Sequence, residues 1–231
     1  MNRVFAVARL HAAGRRDGLL WPLVILFLSF AVNLFVFGSM GGEIGDKGVT
    51  GGLASVYFTG LAFGAVAVAQ QFPFTLGMSV TRREFSAALG LFTLAQTALY
   101  AVLLVILQAI EQATGGWGLR VWFFGIGFID RFSVPAQLLL YGVPMLLMSL
   151  IGITFGAVYV RWRTNGVFGA ISVVVVVLGL TAGLITKYGH WPAVGHWLAD
   201  QSALALFAGL PSIVVVALAV LSWTALRKAT A

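Results

Sequence analysis

Side chains that could carry out chemistry are few in this chain of 231 residues. There is no cysteine, there are three histidines, and the seven acidic residues are scattered along the sequence. His190 and His196 stand six residues apart among tryptophans, a pattern more typical of hydrogen bonding at a membrane interface than of a metal site. Neither a GxxxxGK[ST] phosphate-binding loop nor an HExxH zinc motif occurs. The sequence therefore predicts no catalytic residue, no cofactor and no metal ion in this chain, and no ATP hydrolysis by the chain itself.

The most compact group of charged residues lies between two apolar runs, in the segment QQFPFTLGMSVTRREF at 70–85. Thr81 and Glu84 have the spacing of a capping box, in which each side chain accepts a hydrogen bond from the backbone N–H of the other residue. We therefore expect a helix to begin at Arg82. If it continues to about Gln112 it is about 45 Å long, which exceeds the ~30 Å hydrocarbon core of a bilayer. This helix should protrude into the cytoplasm or tilt.

The composition is that of an all-α integral membrane protein. Hydrophobic residues make up 60% and charged residues 9% of the chain, whereas soluble domains contain about 25% charged residues. Six apolar runs have roughly the 20 residues that a helix needs to cross the bilayer, so residues 1–231 are interpreted as one transmembrane domain. The first run is longer than the roughly 7–15 apolar residues of a signal peptide. The predicted spans are 19–40, 53–72, 85–110, 137–160, 167–186 and 203–226.

Basic residues are distributed unequally between the two sides that these spans define. With the N-terminus inside, ten basic residues lie on the inner side and four on the outer side. Short cytoplasmic loops are enriched in Lys and Arg, so we expect both termini in the cytoplasm. The formal net charge of +7 then reflects membrane topology, and nucleic acid is not an expected partner. Residues 1–18 could form an interfacial helix or a plain basic tail.

Four features of the spans bear on mechanism and packing. Glu111 lies near the outer end of the third span, where we expect it to reach water. No Asp, Glu, Arg or Lys lies in mid-span, which argues against a proton-coupled carrier, a voltage sensor or a charge-selective pore. Pro73 should end the second span, because the residue before a proline avoids the helical conformation. Three pairs of glycines spaced by four fit close helix packing: 60 and 64, 152 and 156, 179 and 183.

The segment FPFTLGMSVTRREFSAALGLF is similar to the region between spans two and three of the membrane subunits of bacterial ABC exporters of the type-2 permease class. In that family a Phe-Pro-Phe run, a glycine and a TRR-acid-Phe motif commonly follow span two. The segment FGAVYVRWRTNGVF at 155–168, with Arg161 and Arg163, resembles the inner loop between spans four and five of the same family. The resemblance extends over essentially the whole chain.

The resemblance implies a six-helix permease with an N-terminal interfacial helix and an extracellular re-entrant segment between helices five and six. It implies ATP-driven export of a hydrophobic or amphipathic compound, such as a drug, antibiotic, peptide or lipid, across a bacterial cell membrane. The chain would form a homodimer or pair with a related permease. Two copies of a separate ABC ATPase, which bind ATP and Mg, would dock on the cytoplasmic side. The direction of transport rests on the resemblance alone.

The resemblance also implies that 73–85 is the coupling segment that meets the ATPase. Arg82, Arg83 and Glu84 would contact the ATPase, and Phe74 would pack into its groove. Arg161 and Arg163 would belong to the second inner loop. The site residues implied for the coupling segment are Pro73, Phe74, Gly77, Thr81, Arg82, Arg83, Glu84 and Phe85.

Two other classes of function stay open on the sequence. The main alternative is a secondary carrier or channel with three spans in each half, although the halves show no convincing similarity. An intramembrane enzyme would need clustered Asp, His or Glu. Arg82 and Arg83 could also follow from topology alone, since any cytoplasmic loop is enriched in basic residues. Topology alone, however, explains neither the capping box nor the apolar FPF run beside it.

Overall fold

A computed structural model of the chain describes residues 16–39, 48–125 and 128–228. The predicted interfacial helix at 1–18 lies almost entirely outside these ranges. The described residues form six α-helices and one pair of two-residue parallel strands. Three shorter helical segments lie at Gly116–Arg120, Ile129–Arg131 and Ala205–Gly209. The elements are α1 (Arg16–Ser39), β1 (Gly48–Val49), α2 (Ala54–Gly77), α3 (Arg82–Ala113), β2 (Val121–Trp122), α4 (Val134–Lys187), α5 (Trp191–Asp200) and α6 (Leu210–Lys228).

The described helices confirm an all-α fold with the features of a multi-pass membrane protein. Four helical stretches are long and apolar enough to cross a membrane. The 24-residue helix α2 is not among them; it carries Gln70 and Gln71 near its C-terminal end. The four stretches are Leu19–Ser39, Arg82–Ala113, Val134–Lys187 and Ala205–Arg227.

The start of α3 confirms the predicted capping box. The Thr81 backbone N–H donates to a carboxylate oxygen of Glu84 at 3.0 Å, and the Glu84 backbone N–H donates to the Thr81 hydroxyl oxygen at 3.3 Å. The helix begins at Arg82, as predicted, and runs for 32 residues to Ala113. At ~1.5 Å per residue its length is about 48 Å, so the prediction of a helix longer than the hydrocarbon core also holds.

The predicted end of the second helix at Pro73 is wrong. Helix α2 continues through this proline to Gly77. The residue before it, Phe72, is fully buried, and its ring packs edge-to-face against Phe85 at 5.2 Å between centroids. Packing between α2 and α3 therefore outweighs the local preference of the residue before a proline. The connection between the two helices is reduced to a short turn that contains Ser79, whose φ is 63°.

The predicted loop between spans four and five is also wrong in extent. Helix α4 contains a single residue with non-helical angles, Arg163, at φ 55° and ψ −153°. A Cβ on Gly166 would lie 3.3 Å from a methyl carbon of Val158, although residues eight apart on a straight helix are separated by about 12 Å. The chain therefore turns sharply at Arg163, which divides α4 into a part before this residue and a part after it.

Glycines allow α2 and the first part of α4 to meet backbone to backbone. A Cβ on Gly156 would lie 2.7 Å from the carbonyl oxygen of Ala65, and a Cβ on Gly152 would overlap the carbonyl oxygen of Leu61. A Cβ on Gly64 would overlap the carbonyl oxygen of Ser149 in the same way. The prediction that the first two glycine pairs serve close packing is confirmed. The third pair, at 179 and 183, faces open space.

Candidate functional site

Both inner segments predicted from the sequence lie at the same end of the helix bundle. Phe72 of α2, Phe85 of α3, Val160 of α4 and Leu226 of α6 belong to one buried apolar cluster. Phe85, which the resemblance includes in the coupling segment, is fully buried in this cluster. Within the chain its side chain fills the core beneath the segment, so any part it has in coupling would be to support the exposed residues beside it.

The surface above this cluster carries a strong excess of positive charge. Among the described side chains, five arginines and one glutamate surround it: Arg82, Arg83, Arg161, Arg163, Arg227 and Glu84. At the opposite end, the described residues include equal numbers of basic and acidic side chains: Arg120, Arg131, Lys187, Glu111, Asp130 and Asp200. The basic end is therefore suited to an acidic partner surface. We call this end of the bundle the basic end.

Arg82 and Arg83 differ in their contacts with the rest of the chain. The Arg82 guanidinium donates to the backbone carbonyl of Arg227 at 3.2 Å, which ties the start of α3 to the last turn of α6. A cation at the C-terminal end of a helix is stabilising because it offsets the partial negative charge there. Arg82 thus has a structural role within the chain, whereas Arg83 is exposed.

The turn between α2 and α3 presents an apolar patch beside these charges. The side chain of Phe74 is 68% exposed and that of Met78 is 55% exposed. Pro73, Gly77 and Thr81 are exposed as well. Five of the eight residues predicted for this segment are therefore exposed. Arg82 and Glu84 are partly exposed, and Phe85 is buried. The combination of an exposed aromatic ring with flanking arginines is typical of interface anchors.

The bend at Arg163 forms a second exposed basic feature. The Arg161 guanidinium carbon lies 4.5 Å from the centre of the Trp162 ring, in cation–π geometry. Arg163 adopts a backbone conformation that favours glycine, which costs of order 1–3 kcal/mol. An arginine at this position keeps a positive charge at the bend in spite of that cost.

Replacing Thr81 with alanine is expected to lower the free energy of unfolding by about 1 kcal/mol, because one half of the capping box is lost. Thermal unfolding of the purified protein in detergent, followed by circular dichroism, measures the change. Thr224→Ala is the matched control, since this exposed hydroxyl only donates to a carbonyl of its own helix. Equal destabilisation by both substitutions would show that the capping box contributes nothing specific.

Glu111 is the residue whose role the sequence interpretation missed. It was expected to reach water, but it is fully buried. Its carboxylate accepts hydrogen bonds from the indole N–H of Trp117 at 2.9 Å and from the backbone N–H groups of Phe123 at 2.8 Å, Phe124 at 3.1 Å and Gly125 at 2.6 Å. The glycine-rich run GGWG at 115–118 is the local signal, because such a run lets the chain turn back over the end of α3.

Between α3 and α4 lies an open apolar groove of about 570 Å³, lined by residues such as Leu94, Ala98, Val102, Leu139 and Val143. Such a surface suits acyl chains or other apolar molecules.

In the part of the chain that the structure describes, no three His, Asp or Glu side chains are grouped so as to hold a metal ion. The candidate site therefore consists of an exposed basic and aromatic surface at the basic end and an apolar groove between α3 and α4. The chain matches no protein-family model, no curated protein and no solved structure.

Proposed function

We propose that this chain is the membrane-spanning subunit of an ATP-driven ABC exporter of the type-2 permease class. A separate ABC ATPase, present in two copies and carrying ATP and Mg, would bind the basic end from the cytoplasm. The observation that supports this proposal most directly is the exposed pairing of Phe74 and Met78 with Arg83 at the basic end. An ATP-driven transporter subunit that has no phosphate-binding loop of its own has to be driven through a contact with an ATP-hydrolysing protein.

The proposal includes six membrane spans. Four stretches satisfy the length and hydropathy of a span, and the bend at Arg163 allows the 54-residue helix α4 to supply two of them. Helix α2 supplies the sixth, since its 24 residues measure about 36 Å and pack closely against α4. Both termini then lie in the cytoplasm of a bacterial cell, and α5 is the extracellular re-entrant segment.

The part of α4 after Arg163 supports the assembly of two permease subunits. Residues 171–180 are all exposed, and apolar side chains such as Val173, Val175, Leu178 and Leu180 are each more than 60% exposed. Within the chain, therefore, this helix has an uncovered surface. A second copy or a related permease would cover it.

The apolar groove between α3 and α4 favours a hydrophobic or amphipathic cargo.

The alternative, a secondary carrier or channel, would need a membrane-embedded charge that is free to bind a coupling ion. Glu111 is a buried acid that could be considered for this role. Its carboxylate, however, is engaged by four N–H groups of its own chain. This arrangement favours the permease over the carrier.

The test is to purify the chain from native membranes and to identify the proteins bound to it by mass spectrometry. We expect an ABC ATP-binding protein in the complex, encoded next to this chain. The chain alone should hydrolyse no ATP, and the reconstituted complex should do so. Transport by the chain alone, driven by an ion gradient in vesicles, would instead establish the carrier.

A further inference from the structure

The connection that follows α3 folds back over the outer end of the bundle. We call residues 116–125 the outer lid. Its sharp turn depends on left-handed residues, with φ of 63° at Gly115, 81° at Gly116 and 73° at Gly118. A Cβ on Gly116 would lie 2.9 Å from the backbone nitrogen of Val121. Only glycine therefore allows the two arms of the lid to approach this closely.

The lid is held by the Glu111 carboxylate. Three consecutive backbone N–H groups, those of Phe123, Phe124 and Gly125, converge on its two oxygens, and the Trp117 indole completes the set. An ionised carboxylate can only accept hydrogen bonds, and each of these groups donates one. Bonds to a charged acceptor are roughly twice as strong as neutral ones. The group of donors is therefore a carboxylate-binding site that the chain fills with its own side chain.

The lid carries two aromatic side chains into the core. Phe123 and Phe124 are both fully buried in the apolar cluster built by α1 to α4. The Phe30 ring of α1 contacts both rings, at 5.3 and 5.2 Å between centroids. The Tyr141 hydroxyl of α4 donates to the carbonyl of Phe124 at 2.7 Å. Because these residues sit where four helices converge, the lid closes the outer end of the bundle.

A second contact joins the lid to the connection between α1 and α2. Strand β1 pairs with β2 within the lid, and the Thr50 backbone N–H donates to the carbonyl of Trp122 at 3.2 Å. The Phe123 ring lies where a Cβ on Gly52 would be. If the lid moves away from the bundle, these contacts and the hydrogen bonds to Glu111 must break together.

We propose that Glu111 is a latch that keeps the outer lid closed, and that the outer end of the bundle opens only when its carboxylate leaves the four N–H groups. On the proposed function, this release belongs to the step in which the permease opens to the outside. The latch itself is a property of the chain alone, so it can be tested without an ATPase or a cargo.

The natural chain has no cysteine, so a single cysteine can report whether the lid is closed. Val121→Cys places a thiol of similar size at a position with no solvent exposure. We measure its rate of reaction with N-ethylmaleimide in the purified, detergent-solubilised protein. Adding Glu111→Ala should raise this rate at least about tenfold. A tenfold rise corresponds to a change of ~1.4 kcal/mol in the free energy of lid opening. Asp130→Asn removes an exposed outer charge instead and should leave the rate unchanged.

Acetate provides a specific test of the chemistry. The Glu111→Ala variant lacks the carboxylate of Glu111 and the carbon that carries it. Acetate consists of the same two parts, a carboxylate and one attached carbon. Excess acetate should bind the vacated N–H groups and return the Val121→Cys rate of the Glu111→Ala variant towards the original value. Chloride at the same ionic strength should not. A merely destabilised protein would show no such difference between the two anions.

Ser149→Cys distinguishes opening of the lid from general unfolding. This buried residue lies against α2, away from the lid, and its thiol should stay protected in the Glu111→Ala background. Labelling of both positions, or of neither, would overturn the latch. Tyr141→Phe, which removes one lid contact and keeps the carboxylate, should give a smaller rise at 121. If the chain binds no ATPase but passes these tests, the proposed function fails and the latch stands.

Discussion

Replacing Gly152 with alanine is expected to lower the free energy of unfolding by about 3 kcal/mol, the upper range for overpacking a closely packed site. The new Cβ would overlap the backbone carbonyl of Leu61, and it would also lie 3.0 Å from the backbone nitrogen of Ala65. Backbone atoms cannot rotate away as a side chain can, so α2 and α4 would have to separate. Thermal unfolding in detergent, together with the yield of folded protein, measures the effect.

Gly179→Ala is the matched control, because it makes the same change in the same helix where nothing lies within 4 Å. Alanine is favoured over glycine in a helix by about 1 kcal/mol, so this variant should be as stable as the natural chain or more stable. The two substitutions are therefore expected to have opposite signs. Destabilisation of similar size at both positions would show that glycine matters for a reason other than contact between α2 and α4.

The glycine pairs illustrate what a sequence can predict about this fold. The spacing of four identifies glycines suited to helix contacts, and two of the three pairs do lie closely against the neighbouring helix. Gly64, Gly152 and Gly156 meet its backbone, and Gly60 meets side chains. Spacing cannot say which partner helix each pair meets. That depends on how α2 packs against the first part of α4, which is a property of the assembled bundle.

The start of α3 was predictable to the residue for a local reason. Thr81 and Glu84 stabilise each other within one helical turn, so the capping box needs no tertiary partner. Pro73 is the opposite case. Its effect on the preceding residue is also local, but the burial of Phe72 against Phe85 overrides it. The local rule fails here because packing against a side chain that is distant in sequence stabilises the helix by more than the unfavourable conformation before the proline destabilises it.

Glu111 was misjudged because its partners come later in the chain. Its position near the end of α3 suggested that the carboxylate would reach water, but the carboxylate is fully buried. The lid brings donors from six to fourteen residues downstream over the carboxylate, and no periodicity in the sequence encodes that contact. An acidic residue in the last turn of a long apolar helix, followed by a glycine-rich run, is the pattern to examine in other membrane proteins.

Reversing the three charges at the start of α3, by Arg82→Glu, Arg83→Glu and Glu84→Lys together, is expected to uncouple the chain from its ATPase. On the proposed function, the basic end meets an acidic or polar surface of that partner, and like charges in contact oppose binding. We expect stimulated ATP turnover in the reconstituted complex to fall at least about tenfold, which corresponds to ~1.4 kcal/mol, and co-purification to weaken.

Two controls separate this effect from damage to the helix. Thr81→Ala weakens the capping box without changing any charge, so it should lower stability while ATP turnover at low temperature persists. The outer triple variant Asp130→Lys, Arg131→Glu and Lys187→Glu reverses as many charges at the opposite end of the bundle, outside the lid, and should leave turnover intact. If the inner triple variant keeps both the complex and its ATP turnover, the basic end is not where the ATPase couples. In that case the arginines there would reflect membrane topology alone.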